Sequence, residues 1–233
     1  MRKILSLFAF LAVSFASFAQ QITVHEFAEK LQKAGNNAQI IDVRTKDEFA
    51  VNHLPNAVNV DLKDKEAVSK LLAKLDKNKP TFTYSIQSGR GIIFAKQLKE
   101  LGFTQVYGLP GGIVNYVGSG YKIETFKTDK KFIVDSKNFH DLINSDKVVL
   151  VDFSSRHCGG CVKFAPILNE IEKAYLGKAS VVRVELDDNV ELVKEQQLHS
   201  MPTIAIYKNG EIKWKKEGRL DRKEIETALN DNI

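Results

Sequence analysis

The stretch Val148-Val-Leu-Val-Asp152-Phe153-Ser-Ser-Arg-His157-Cys158-Gly-Gly-Cys161 decides how this chain is read. Val148 to Phe153 is a nearly unbroken apolar run, the pattern of a central strand covered on both faces. Beyond a short polar loop, Cys158 to Tyr175 reads as a helix, with Pro166 inside it where a kink is expected. Strand, loop and helix together place Cys158 at a helix N-terminus, exposed at the loop tip. The helix dipole and unpaired N–H groups there favour an anion, so a thiol falls below its free value of ~8.5. Cys161, one turn on, is close enough to attack a mixed disulfide from within, and two glycines allow the tight turn. The reading requires a sulfur at 158 that is both ionised and reachable from solvent.

Working outward, a helix is expected over Ser136 to Ile143 and a strand over Ser180 to Leu186. Strands Thr203 to Tyr207 and Ile212 to Lys216 flank Asn209-Gly210, a strong hairpin signal. A last helix runs from Arg222 to Leu229. The order β-α-β, hairpin, helix implies a mixed sheet with helices on both faces. Toward the N-terminus, Thr23 to Lys33 has Val24, Phe27 and Leu31 at helical spacing, with Thr23 and Glu26 placed as a capping box. Short strands follow at Gln39 to Val43, Ala57 to Val60, Thr81 to Tyr84 and Gln105 to Tyr107, with an amphipathic helix over Arg90 to Leu101. Strands separated by helices imply right-handed crossovers and a mostly parallel sheet. Thr125 to Lys131, rich in Lys and Thr, reads as a linker.

A chain of 233 residues has room for two such domains. Its only two cysteines lie three apart, too few and too close for a structural disulfide framework. A bridge between them closes a tiny loop and stabilises little through chain entropy, so its location argues for chemistry. Zinc binding by Cys158, Cys161, His157 and His199 has the right ligand count, although adjacent ligands at 157 and 158 fit a tetrahedral metal poorly. A haem attachment needs His after the second cysteine, where Val162 stands. The formal charge of +5 comes from Lys interleaved with Asp and Glu, with no basic stripe, so nucleic-acid binding is not expected. Met1-Arg2-Lys3, the apolar run from Ile4 and Ser17-Phe18-Ala19 form the pattern of a signal peptide cut ahead of Gln20. That implies export to the periplasm, with no stable membrane insertion after cleavage.

The C-terminal half resembles thioredoxin over essentially its whole length. The match is carried by V-L-V-D-F, C-G-G-C six residues after Asp152, Lys163-Phe-Ala-Pro166, His199-Ser-Met-Pro-Thr203, and Asn209-Gly210 before Gly218. The resemblance implies that Cys158 attacks, Cys161 resolves and the Cys158–Cys161 disulfide is the redox centre, with no further cofactor and no metal. It implies that Asp152 accepts the proton of the second cysteine. It also implies that Pro202 is a cis-proline facing the disulfide and that the backbone of Met201 binds an extended substrate peptide. Partners would be protein thiols and disulfides, together with a redox partner. The family's W-C-G-P-C is here His157-Cys158-Gly159-Gly160-Cys161, which leaves the direction of electron flow open. A protonated His157 would stabilise a neighbouring thiolate; equally, it reads as a solvated loop residue.

The N-terminal half resembles the rhodanese family through Ile40-Ile-Asp-Val-Arg-Thr-Lys-Asp-Glu-Phe-Ala-Val-Asn-His-Leu-Pro-Asn-Ala-Val-Asn-Val60. Asp42, Arg44, Glu48, His53, Pro55 and Ala57 stand at family positions, and Arg90 to Ile113 fits the second half without a gap. The active-site loop departs from the family. Ser85 follows Tyr84 where the family has its nucleophilic cysteine, and serine cannot carry a persulfide. Sulfurtransferase activity is therefore expected to be absent. The loop could still hold an anion, with Arg90 nearby, or Arg90 could simply brace it. Asp42, Arg44 and His53 read as structural hydrogen-bonders.

The expected organisation is α/β: a signal peptide over 1–19, a rhodanese-like parallel sheet with flanking helices over 20–125, and a thioredoxin fold over 126–233. The expected function is exported thiol–disulfide oxidoreduction, with the first half binding a partner or an anion. The competing readings are an interaction protein with a static disulfide and a zinc protein.

Overall fold

The computed structural model describes residues 22–126, 134 and 136–233; the expected leader over 1–19 and residues 127–131 of the expected linker lie outside the described residues. The elements run α1 (Val24–Ala34), β1 (Gln39–Asp42), α2 (Lys46–Val51), β2 (Asn52–His53), β3 (Val58–Asn59), α3 (Lys65–Leu72), β4 (Thr81–Tyr84), α4 (Ser88–Glu100), β5 (Val106–Gly108), α5 (Gly112–Gly118) and β6 (Glu124–Thr125). The second half continues with α6 (Ser136–Ile143), β7 (Val148–Ser154), α7 (Gly159–Ala174), β8 (Ala179–Glu185), α8 (Val190–Glu195), β9 (Thr203–Lys208), β10 (Glu211–Glu217) and α9 (Arg222–Asn230).

The first half is built on a four-stranded sheet, β3-β1-β4-β5, parallel throughout. The second is built on β10-β9-β7-β8, in which β7 pairs parallel with β8 and antiparallel with β9. Both agree with the α/β reading. The Thr23 capping box forms as expected, its hydroxyl accepting from Glu26 N–H. The short helices α2, α5 and α8 were not foreseen. Two have only six residues, too few to show a period, and most of α5 is buried, so it has no polar face. The helix α3 did carry a readable start signal, since Asp64 caps it by accepting from Ala67 N–H.

Strand alternation divides the apolar residues among three clusters. Ile41 packs with Phe94, Leu98 and Val106 inside the first half, and Leu150, Ile204 and Ile206 pack with Phe164, Leu168 and Leu229 inside the second. The opposite faces are joined through the helices that pack on them. Ile40, Phe82 and Tyr84 from the first sheet and Val149, Val151, Phe153, Ala205 and Tyr207 from the second belong to one continuous core. Helices α1 and α5 from the first half and α6 and α8 from the second complete it, with α5 packed on α8. At the seam, a Cβ on Gly118 would lie 1.9 Å from the Leu198 carbonyl oxygen, so the backbones touch where only glycine fits.

A core shared this way couples the stability of the halves. Phe27 is fully buried, edge-on to Phe82 at 5.3 Å and to Tyr116 at 6.3 Å. Phe27→Ala should destabilise by about 3–5 kcal/mol. Although Phe27 lies in the first half, the loss is expected in urea titrations followed by Trp214, the chain's only tryptophan, on β10 of the second half. An unchanged Trp214 midpoint would mean that the halves unfold independently.

Candidate functional site

Cys158 is the N-cap residue of α7, in extended conformation, with Sγ accepting from the Cys161 N–H at 3.1 Å. A thiolate formed there would keep that donor and face the positive end of the helix dipole. Cys158 and Cys161 are joined as a disulfide with Cα atoms 5.2 Å apart. The helix-start placement holds, but the expected exposure does not. Cys158 is 3% exposed and Cys161 6%, whereas Gly159, Gly160 and Val162 beside them are open to solvent. The cause is tertiary. Both cysteines join the shared core with Ile86, Ile113 and Val114 of the first half and Met201 of the second, and sequence periodicity carries no record of a neighbouring domain.

Asp152 lies on β7 and is buried. One carboxylate oxygen accepts from Ser154 Oγ at 3.0 Å; the other has no hydrogen-bond partner. Burial pushes its pKa up to about 6, against smaller opposing effects of Ser154 and Arg183. Met201 and Pro202 are joined by a cis peptide bond, and both are buried. Pro202 lies against the turn between the cysteines: a Cβ on Gly160 would sit 3.5 Å from Pro202 Cδ and 3.9 Å from Cys158 Sγ.

The loop after β4 reaches the same place. Ser85 Oγ hydrogen-bonds the Gln87 carbonyl and accepts from Gly91 N–H at 3.2 Å. Arg90 directs both terminal nitrogens to Glu48, at 2.7 and 3.1 Å, so it braces the loop against α2. Gln87 crosses to the second half, donating from Nε2 to the Met201 carbonyl at 2.6 Å.

The thioredoxin family model matches residues 130–231 and the rhodanese-like domain model matches residues 23–119. Thioredoxin of Rickettsia felis is 36% identical over 101 residues, covering 43% of this chain and 96% of that protein. Thioredoxin 2 of Chlorobaculum tepidum is 33% identical, covering 45% and 96%, and Pseudomonas aeruginosa thioredoxin is 30% identical, covering 43% and 94%. This chain belongs to the thioredoxin family. Its thioredoxin domain is preceded by a rhodanese-like one, and a thioredoxin-like redox function follows from that membership and the Cys158–Cys161 disulfide.

A polar cluster flanks the disulfide of the thioredoxin domain. His157 Nδ1 lies 3.0 Å from Asp187 Oδ2, which also accepts from Ser155 Oγ at 2.6 Å. The hydrogen bond to Asp187 raises the His157 pKa, with burial opposing it and the charges of Asp187 and Glu48 adding to it. Burial pushes Asp187 up, but His157 and Ser155 outweigh it and hold the carboxyl low. Glu185, on β8 beside them, is pushed up to about 7 by burial and by the Asp187 charge. His157 is therefore a paired residue rather than a solvated one. His199 Nδ1 is 3.0 Å from Asn115 Oδ1. The two histidines of the zinc reading thus have partners elsewhere, and the described residues hold no group of three or more His, Cys, Asp or Glu placed for a metal.

The rhodanese-like domain anchors this cluster. Arg44, fully buried, is bidentate to Asp42 and donates to the Asn52 carbonyl at 2.5 Å, while Asn52 Nδ2 donates to the Asp187 carbonyl at 3.0 Å. Asp42 and Arg44 are structural, as expected, and so is His53, which meets the Phe49 carbonyl at 2.9 Å and stacks on Phe49. Gln87, Asp187 and Glu185 were missed from the sequence. Gln87 carried no signal, but the two acids could have been suspected, because β8 runs parallel to β7 and its C-terminal end must open beside Cys158.

Because burial raises the Asp152 pKa from 3.8 to about 6, its ionisation opposes folding above that range. The penalty is absent below pH 4, grows between pH 4 and 6, and is complete above it. Asp152→Asn is therefore expected to raise stability by about 3 kcal/mol at pH 8 and by nothing at pH 3.5, read from urea midpoints. Asp187→Asn should lower the His157 pKa, checked by NMR titration of the imidazole.

Proposed function

We propose that the chain is an exported protein thiol–disulfide oxidoreductase, with Cys158 as nucleophile, Cys161 as resolving thiol and Asp152 as proton acceptor. The observation that carries this reading is the Cys158 sulfur at the N-cap of α7, bonded to Cys161 and accepting that residue's N–H. With the pair reduced, Cys158 thiolate attacks a client disulfide, forms a mixed disulfide and releases one client thiolate. Cys161 gives its proton to Asp152 and attacks the Cys158 sulfur. The Cys158–Cys161 bond re-forms, the second client thiolate leaves, and Asp152 returns the proton to solvent. The reverse sequence donates a disulfide. A carboxyl with a pKa of about 6 is matched to this exchange near neutrality.

The leader over 1–19 supports export to the periplasm, where such exchange has substrates; among the described residues no helix is long and apolar enough to cross a membrane. We also propose that the rhodanese-like domain transfers no sulfur, since Ser85 stands where a persulfide must form and its hydroxyl is engaged by Gln87 and Gly91. With Arg90 committed to Glu48, that domain's role is protein contact rather than anion capture.

Two measurements test the enzyme reading. After reduction, iodoacetamide is expected to alkylate Cys158 well before Cys161, and Cys158→Ser is expected to abolish insulin disulfide reduction while the fold persists. Equal, slow alkylation of both cysteines with no turnover would favour a static disulfide. In a thiosulfate–cyanide assay the mature chain should form no thiocyanate above background.

A further inference from the structure

Disulfide exchange needs an incoming thiolate in line with the S–S bond, and a pair 3% and 6% exposed does not offer that line. The loop after β4 of the rhodanese-like domain reaches the segment beside the pair, and its Ile86 belongs to the same core as both cysteines. The loop holding Gln87 is fixed from below, because the Ser85 and Ile86 carbonyls accept from the N–H groups of Ile113 and Val114 on α5. A Cβ on Gly112 would lie 2.5 Å from the Gln87 backbone, so loop and helix move together. From that support Gln87 reaches the Met201 carbonyl at 2.6 Å and the Ser200 hydroxyl at 3.4 Å, beside the proline that packs on the cysteine turn. A client chain bound along the Met201 backbone, as the resemblance to thioredoxin implies, would need the carbonyl that Gln87 holds.

We propose that Gln87 is a built-in competitor for the Met201 carbonyl, holding the rhodanese-like domain over the disulfide so that a client chain must displace it to react. The inference rests on the oxidoreductase reading but makes separate demands. Beyond the shared apolar core, the seam near the site is held by contacts that can release: one amide–carbonyl bond at the site, Asn52 to Asp187, Asn115 to His199, and the close approach of Gly118 to Leu198. Exchange then proceeds from an open population, so whatever weakens the seam raises the rate in proportion. Gln87 also acts as a filter, because a client has to supply a donor for the vacated carbonyl as well as a thiol.

The test is the rate at which dithiothreitol reduces the full mature chain, with alkylation and mass measurement at timed intervals, alongside insulin turnover. Gln87→Ala and Gln87→Glu both remove the donor, and each is expected to accelerate reduction about fivefold and to lower KM for insulin with little change in kcat. Gly118→Val, away from the sulfurs, wedges the seam and is expected to accelerate reduction by on the order of tenfold. Trp214 fluorescence checks that each variant is folded, and should Gly118→Val not fold, the two Gln87 variants carry the test. Wild-type rates in both Gln87 variants would overturn the proposal. Faster reduction with no insulin turnover in any variant would uphold the cover and remove the oxidoreductase reading instead.

Discussion

The apolar seam between the two halves is the constraint on which the rest of this structure depends. Helices α1 and α5 pack on the first sheet and α6 and α8 on the second, and α5 in turn packs on α8. Ile86, Ile113, Val114 and Val117 on one side and Leu192, Val193, Leu198 and Met201 on the other thereby belong to one core. Burial of that kind contributes about 25 cal/mol per Å² of apolar surface removed from water. It fixes the relation of the halves before any polar contact is counted. The Gly118–Leu198 approach shows how close the fit is, since a single methyl group has no room there.

That seam sets the character of the redox centre. A helix N-terminus activates a thiol by local means, and Cys158 sits at one, its Sγ accepting from the Cys161 N–H with His157 beside it. Burial acts the other way, excluding water and reactants alike. In this chain the helix start belongs to the thioredoxin domain, while the loop that bonds the Met201 backbone belongs to the rhodanese-like one. Ser85, Arg90 and Glu48 preserve the shape of a loop that now presents Gln87 to another domain.

The polar network that crosses the seam links the rhodanese-like motif to His157, the residue before Cys158. Asp42 holds Arg44, Arg44 holds Asn52, and Asn52 meets the Asp187 backbone, whose carboxylate holds His157. A buried ion pair such as Asp42–Arg44 adds little net stability once desolvation is counted. Its value here is positional: it fixes the orientation of Asn52, and with it the register of the two domains. Residues that serve catalytic loops in one family setting here serve as the frame of an interface.

Most of the architecture was legible in the linear order of residues. The strands at 81–84 and 148–154, the helix at 136–143, the Thr23 cap and the hairpin at Asn209-Gly210 follow from local rules of periodicity, capping and turn chemistry, and these act over a few residues. The cysteine pair and its place at a helix start were likewise written in spacing, and the serine at 85 was read from the resemblance to rhodanese. The burial of Cys158, the pairing of His157 with Asp187 and the reach of Gln87 to Met201 were not. Each joins residues between 30 and 114 positions apart, and no local rule relates positions so distant. The Gln87 contact exists only where the two domains pack together, and the His157–Asp187 pair only where the end of β8 lies beside the cysteine loop; both are properties of the folded surface rather than of any segment within it.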